Sequence, residues 1–489
     1  MWVATTTISK QGLVSSSIPS TVQALLLSFR PCFTAPTFLN FAALVVGWIL
    51  CQGRHSISRV IQAAGRELCE GKDHSVFYRA LSRARWATDP VGRVVFTLLL
   101  PFLDKDVLVL VDDTLSKKTG PHIWGAGMHH DASDSTYGRF TSAGRFVAFA
   151  FGHNWVILAV WVALPWDPAR GLAVPVLFRL YRQKKLCPES QYRKRTELSV
   201  EMLEVLAQWV PDDRCLHAVG DREYSSKTVV RELPEGLVFT GTMPLDAALY
   251  ALPPKYRGKG RPRVKGRRLP SPAKLAKSKA KKKGWKRQKL TIYGKEVTLL
   301  TKTTVCLWYT VAGSKPVRVV VTRDPKGRLE DRAYFCTDPS LSVEEILLRY
   351  SRRWEVEVSF RNAKQALHVQ DPQNGWWRRK QGTRKPKKRA GPQPRGNRGR
   401  KAAERTLPLA FVAYAIVVVW YLRHGSPVED TARAIAEAPW YRHKRGPSFE
   451  DMLAALRREL WASRFSQQGL FRGAAEKIRE FLPRWLLAA

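Results

Sequence analysis

Two short apolar runs constrain this chain most, because each leads straight into aspartate. Residues 107–111 read Val-Leu-Val-Leu-Val and end on Asp112-Asp113-Thr114; residues 216–219 end, after Gly220, on Asp221. A run that is apolar at nearly every position, not at alternate ones, belongs to a strand covered on both faces, as in a sheet flanked by helices. Side chains at the ends of such strands converge on a common pocket. Two carboxylates more than a hundred residues apart in sequence are therefore expected to share one site.

The segments around these runs alternate in type. Residues 145–151 and 155–164 read as the two strands of a hairpin, with Gly152-His153-Asn154 as its turn. Helical periodicity over 197–209, a second helix over 226–233 and a strand over 237–243 complete the order of three strands, helix, strand, helix, strand. That order is the one used by the RNase-H-like fold. The expected class is α/β, a mixed five-stranded sheet flanked by helices. Ahead of it, residues 30–95 read as helices at 41–50, 56–69 and 75–85, decorated by Arg54, Arg59, Arg66, Arg79, Arg83 and Arg85. The expected division is a helical DNA-binding domain over 1–95, a catalytic domain over 96–425 and a helical C-terminal region over 426–489.

Charge narrows the partner. Lys and Arg number 82 against 41 acidic residues, a net charge of +41, and such an excess attracts polyanions through release of counterions from phosphates. Residues 255–289 hold 17 Lys or Arg and no acid, and residues 378–405 hold 13 with only Glu404 opposing them. Both segments, lying within a basic loop and β insertion (244–330) and a basic arm (372–405), read as solvated loops that order on phosphates, with Trp285, Trp376 and Trp377 in or beside them as candidates for base stacking. The seven cysteines show no CxxC pair and point to a reducing cytoplasm. No export signal is read at the N-terminus. The apolar stretches 41–51 and 407–422 are shorter than the roughly 20 residues of a membrane span, so no membrane is expected.

The strongest local signal lies in 342–367. Ser342 with Glu345 forms a capping box, and no Pro or Gly interrupts the residues that follow, so one long helix is expected. On it Tyr350, Arg353, Glu357 and Lys364 fall at offsets of three, seven and fourteen, all within one stripe at about 100° per residue. Arg353 and Glu357 alone make an ordinary spacing-of-four pair. Together with the two strand-end aspartates, the glutamate completes three hard oxygen donors suited to Mg²⁺ or Mn²⁺. Paired ions about 3.5–4 Å apart would serve phosphoryl transfer, with Arg353, Lys364 and Tyr350 on flanking phosphates.

At this point the sequence resembles the DDE transposases of bacterial insertion sequences, specifically the insertion-sequence-four superfamily. The Tyr-x2-Arg-x3-Glu-x6-Lys signature (YREK) stands complete at Tyr350, Arg353, Glu357 and Lys364. Val219-Gly220-Asp221-Arg222-Glu223-Tyr224 resembles the family's second acidic motif and Val111-Asp112-Asp113-Thr114 its first. The resemblance covers roughly residues 30–460, including Trp86 and Arg405-Thr406-Leu407-Pro408-Leu409. It implies a catalytic and metal-binding triad of Asp113, Asp221 and Glu357, with Asp113 chosen over Asp112 because it directly precedes Thr114. It further implies two Mg²⁺ ions, for which Mn²⁺ can substitute, DNA contacts from Tyr350, Arg353, Lys364 and Arg222, and a homodimer that holds two transposon ends. The β-rich insertion it implies is read in strands at 305–311, 317–322 and 332–337. The expected activity is cut-and-paste transposition: cleavage of double-stranded DNA at terminal inverted repeats and strand transfer into target DNA, in the bacterial cytoplasm at the nucleoid. The competing readings are a transposase-derived DNA-binding protein without catalysis and an RNase-H-like nuclease without strand transfer.

Overall fold

The structure, a computed structural model, describes residues 17–467, leaving out 70, 120–122, 137–145, 257, 259–260, 278–283, 293–294, 374–376, 380–387, 391–395, 439 and 441. Its centre is one mixed sheet of ten strands. Strand β1 (Asp106–Lys117) lies antiparallel to β3 (Phe146–Leu164) on one side and parallel to β5 (Cys215–Gly220) on the other; β6 (Val238–Met243) follows parallel to β5. The far edge of β3 carries β2 (Gly127–Thr136) and β4 (Asp167–Tyr181) in succession, with Gly152 facing β2 and Asn154 facing β4. Beyond β6 the sheet continues antiparallel through β10 (Arg332–Cys336), β9 (Val317–Arg323), β8 (Lys295–Cys306) and β7 (Lys286–Ile292). Helices flank this sheet, and the arrangement is compatible with the RNase-H-like expectation. The expected five strands become ten because β2 and the inserted strands β7–β10 join the same sheet.

Two local readings are corrected. Residues 146–164 are one strand of 19 residues, not a hairpin. Gly152 is there for closeness: a Cβ on it would lie 2.3 Å from the Ser116 carbonyl oxygen of the neighbouring strand, and a strand glycine commonly marks such an approach. The chain turns after Leu164 instead and returns as β4, where a bulge opposite Leu158 and Ala159 accommodates Pro175. Second, β8 ends at Cys306 and Tyr309–Ala312 is a helical turn, so the expected strand over 305–311 is half strand, half helix. The expected strands at 317–322 and 332–337 are β9 and β10.

The N-terminal helices do not pack apart from this core. Ala35–Leu50, Ile57–Ala64 and Ser75–Ser82 share one continuous apolar cluster with the sheet and with the helix Asn397–His424. That helix holds the apolar stretch 407–422. At 28 residues it is long and apolar enough to cross a membrane by length and composition, but 94% of its apolar window is buried inside the protein.

The last described helix, Phe449–Gln467, fastens the N-terminal helices by arginine. Arg457, fully buried, donates from Nε to the Ile49 carbonyl at 2.6 Å and from Nη2 to that of Cys51 at 2.8 Å. Arg464 donates to the carbonyls of Ala63 and Ala64 at 3.0 and 2.5 Å. Each arginine thus meets the C-terminal end of a helix, where carbonyls lack intrahelical partners and the dipole favours a cation. Arg457→Leu is expected to destabilise the protein by roughly 3 kcal/mol, because two charge-assisted bonds go and buried carbonyls are left unpaired. A lower urea midpoint with unchanged slope in chemical denaturation checks this.

Candidate active site

The site begins where β5 stops and β1 continues. Val111 pairs with Gly220, so Asp112 stands level with Asp221 just past the end of β5. Gly220 leaves room for the turn that follows: a Cβ there would lie 2.8 Å from Tyr224 Cβ. In that turn Asp221 Oδ1 accepts the backbone N–H groups of Glu223 (2.9 Å) and Tyr224 (3.3 Å), which fixes the aspartate at the strand end.

The expected long helix is two helices, Val343–Ser351 and Trp354–Ala366. The Ser342–Glu345 capping box starts the first as the sequence predicts. Between them the bonding tightens: Arg353, Glu355 and Val356 donate to Tyr350, Arg352 and Arg353, each three residues back, at 3.0–3.1 Å. No helix breaker occupies the joint. The sheet below draws two adjacent arginines inward at once, Arg352 over the Trp161 ring at 3.9 Å and Arg353 onto Asp112.

Arg353 organises the acids. Its Nη1 donates to Asp112 Oδ2 and its Nη2 to Glu357 Oε1, both at 2.8 Å, joining residues 241 apart in the chain to a neighbour one helical turn on. Burial pushes the Asp112 carboxyl up to about 8; the Arg353 cation opposes this, and the nearby charges of Asp113 and Asp221 add to it. Burial works against the Arg353 cation, but Asp112 first, then Tyr350 and Glu357, more than offset it and raise its pKa; the Tyr350 ring packs edge-on against Tyr334. Lys364, two turns beyond Glu357, donates to the Leu115 carbonyl at 3.1 Å, and burial lowers its pKa. Tyr350 and Glu357 therefore flank Arg353, which reaches Asp112, and Lys364 meets the backbone of the same strand farther along, at Leu115.

Asp113, expected to face this pocket, points the other way. Successive strand residues project to opposite faces, and Asp113 Oδ2 accepts from Asn154 Nδ2 at 2.9 Å and from Arg195 at 3.2 Å. Arg195 also pairs with Glu223 at 2.7 Å. Burial raises the Glu223 carboxyl, with Arg195 opposing and Asp113 and Asp221 reinforcing. Each of the two adjacent aspartates is thus tied by one arginine to one glutamate, on opposite faces of β1. Arg222 is exposed beside Asp221.

Sequence reasoning missed Arg195, and it reached Asn154 only as part of an expected turn and Glu223 and Tyr224 only as part of the second acidic motif. Tyr224 is fully buried, its hydroxyl has no hydrogen-bond partner, and burial with the charge of Asp113 raises its pKa. Only the position of Tyr224 three residues after Asp221 signalled it. Of the tryptophans expected to stack on bases, Trp285 lies under Lys302 and Arg323. Trp376 and the side chain of Trp377 lie outside the described residues, as do residues 380–387 and 391–395 of the arm they introduce.

The acids offer hard carboxylate oxygens, the donors a divalent ion of the magnesium type takes. As they stand they do not form its cage. Asp112 and Glu357 are both turned to Arg353, and among the described residues no three His, Cys, Asp or Glu side chains converge closely enough to hold a metal ion.

A large mixed sheet flanked by helices, with two aspartates inside one strand, a third just past the end of its parallel neighbour and a glutamate on a following helix, defines the nuclease and transposase class of α/β proteins. The model of the DDE superfamily endonucleases matches residues 28–296, more than half of the chain, and the protein belongs to that family. The match takes in Asp112, Asp113 and Asp221 and stops short of the Glu357 helix. No curated protein matches the chain.

Proposed function

We propose that this DDE superfamily endonuclease is a transposase of the insertion-sequence-four type, cutting double-stranded DNA at transposon ends and joining them to a target. One observation carries the reading: a single guanidinium bridges Asp112 on β1 to Glu357 on the helix Trp354–Ala366, with Asp221 at the adjoining strand end. On this reading Asp112, not Asp113, is the first acid, because it shares a face of the sheet with Glu357.

Around these acids the cationic residues have phosphates to hold. Arg353 offers a planar fork that fits a phosphodiester in two-point fashion, Lys364 a point charge two turns along, and Tyr350 a hydroxyl donor. Phosphoryl transfer asks the protein chiefly for position and charge neutralisation, and a strand end rigidly paired on both sides supplies position. Divalent ions, Mg²⁺ or Mn²⁺, are proposed to enter only once Arg353 has moved. A net charge of +41 supports DNA as the partner, and holding two ends calls for a dimer.

The test is incubation of the full chain with a duplex carrying the element's own terminal repeat, with Mg²⁺ or EDTA. Metal-dependent nicks at the repeat boundary, followed by joined products, are expected; hydrolysis without joining would identify a plain nuclease, and neither would sink the reading. Duplex affinity is expected to fall by about 10³-fold or more between 50 and 200 mM salt, as for six or more phosphate contacts. Fluorescence anisotropy across that range measures it.

A further inference from the structure

We infer that Arg353 is the resting counter-cation of the acid site, and that its departure to a DNA phosphate opens the site to divalent metal, so that DNA and metal are taken up together. This rests on the reading of Asp112, Asp221 and Glu357 as the working acids. Arg353 uses two different nitrogens to hold two carboxylates at 2.8 Å each. The side chains of Arg353 and Asp112 are only 16% and 13% exposed, so the pair is largely shielded from water, whereas Glu357 is 37% exposed.

Arg353 takes up Asp112 Oδ2 and Glu357 Oε1 and fills the space between the two carboxylates, where a divalent ion shared by both would sit. Among the described residues the convergence of three acids is accordingly missing, although two of them hang on one side chain. The resting bond set is also incomplete. Arg353 Nε is buried without a hydrogen-bond partner, and buried donors are normally paired. Satisfying it takes a further acceptor, and a phosphodiester supplies several oxygens with a negative charge that matches the fork.

The backbone permits the exchange. Arg353 sits at the joint between two helices, where the bonds run three residues back, so its long side chain can swing without unwinding either one. If DNA draws Arg353 away, DNA must raise metal affinity, and by linkage metal must raise DNA affinity by the same factor.

The experiment is Mn²⁺ binding to the DNA-free full chain, read from the loss of the free-ion paramagnetic resonance signal. Arg353→Gln is expected to tighten Mn²⁺ binding by about tenfold or more, since the acids are released while the side chain stays polar and loses its charge. Arg353→Lys, whose point charge reaches one carboxylate and not both, should fall between parent and Gln. If Arg353→Gln leaves Mn²⁺ affinity unchanged or weaker, the inference is overturned. If the gain appears but survives in Arg353→Gln combined with Asp112→Asn, the ion binds elsewhere and the assignment of the acids fails instead.

Discussion

Asp112→Asn is expected to lower DNA cleavage on the order of 10³-fold while leaving duplex affinity nearly unchanged, and Glu357→Gln to do the same. Both changes keep the size of the side chain and replace a carboxyl oxygen with an amide nitrogen in the pocket that Arg353 closes. Asp113→Asn is expected to retain cleavage within about tenfold, a modest loss of the kind expected when an interaction outside the reacting centre goes, because that carboxylate serves Asn154 and Arg195 on the other face of β1. Single-turnover cleavage of an end duplex, with binding measured separately, distinguishes the two aspartates. A profound loss from Asp113→Asn with activity kept in Asp112→Asn would assign the first acid the other way.

The second large effect is on stability. Burial holds the folded Asp112 carboxyl at about 8 against an ordinary 3.8. Between those values the folded protein keeps a proton that the unfolded chain has released, so metal-free stability falls as pH rises from about 4 to about 8 and levels off beyond. Asp112→Asn removes this slope. The inactive variant is therefore expected to be more stable than its parent at pH 8, by roughly 2–4 kcal/mol after allowing for the lost partner of Arg353, with the advantage fading toward pH 4. Urea denaturation in EDTA at pH 4.5, 6 and 8 measures it; parallel pH profiles for the two proteins would refute the effect.

The sequence made the buried strands legible because their apolar runs end on polar residues, and it made the start of the Glu357 region legible because Ser342 and Glu345 cap locally. It did not reveal which of Asp112 and Asp113 faces the Glu357 helix. Strand alternation would tell the faces apart if one were wet, but 107–111 is buried on both, so the pattern carries no direction. Gly152 was misread because a glycine needed for close strand contact looks the same in sequence as one needed for a turn. Strand β4 escaped notice because Pro168, Gly171 and Pro175 speak against a strand, and only the bulge at Pro175 reconciles them. The joint at Arg352–Arg353 depends on Trp161 and Asp112 from distant parts of the chain, and no local rule encodes it.

The arginines of the helix Phe449–Gln467 seal the ends of helices made some four hundred residues earlier. A ribosome therefore releases the front of this molecule long before its fasteners exist, and closure must wait for the rear to emerge. Genes of this kind that lose their 3′ portion should yield polypeptides that are cleared by proteases, and not shortened competitors for the same DNA ends.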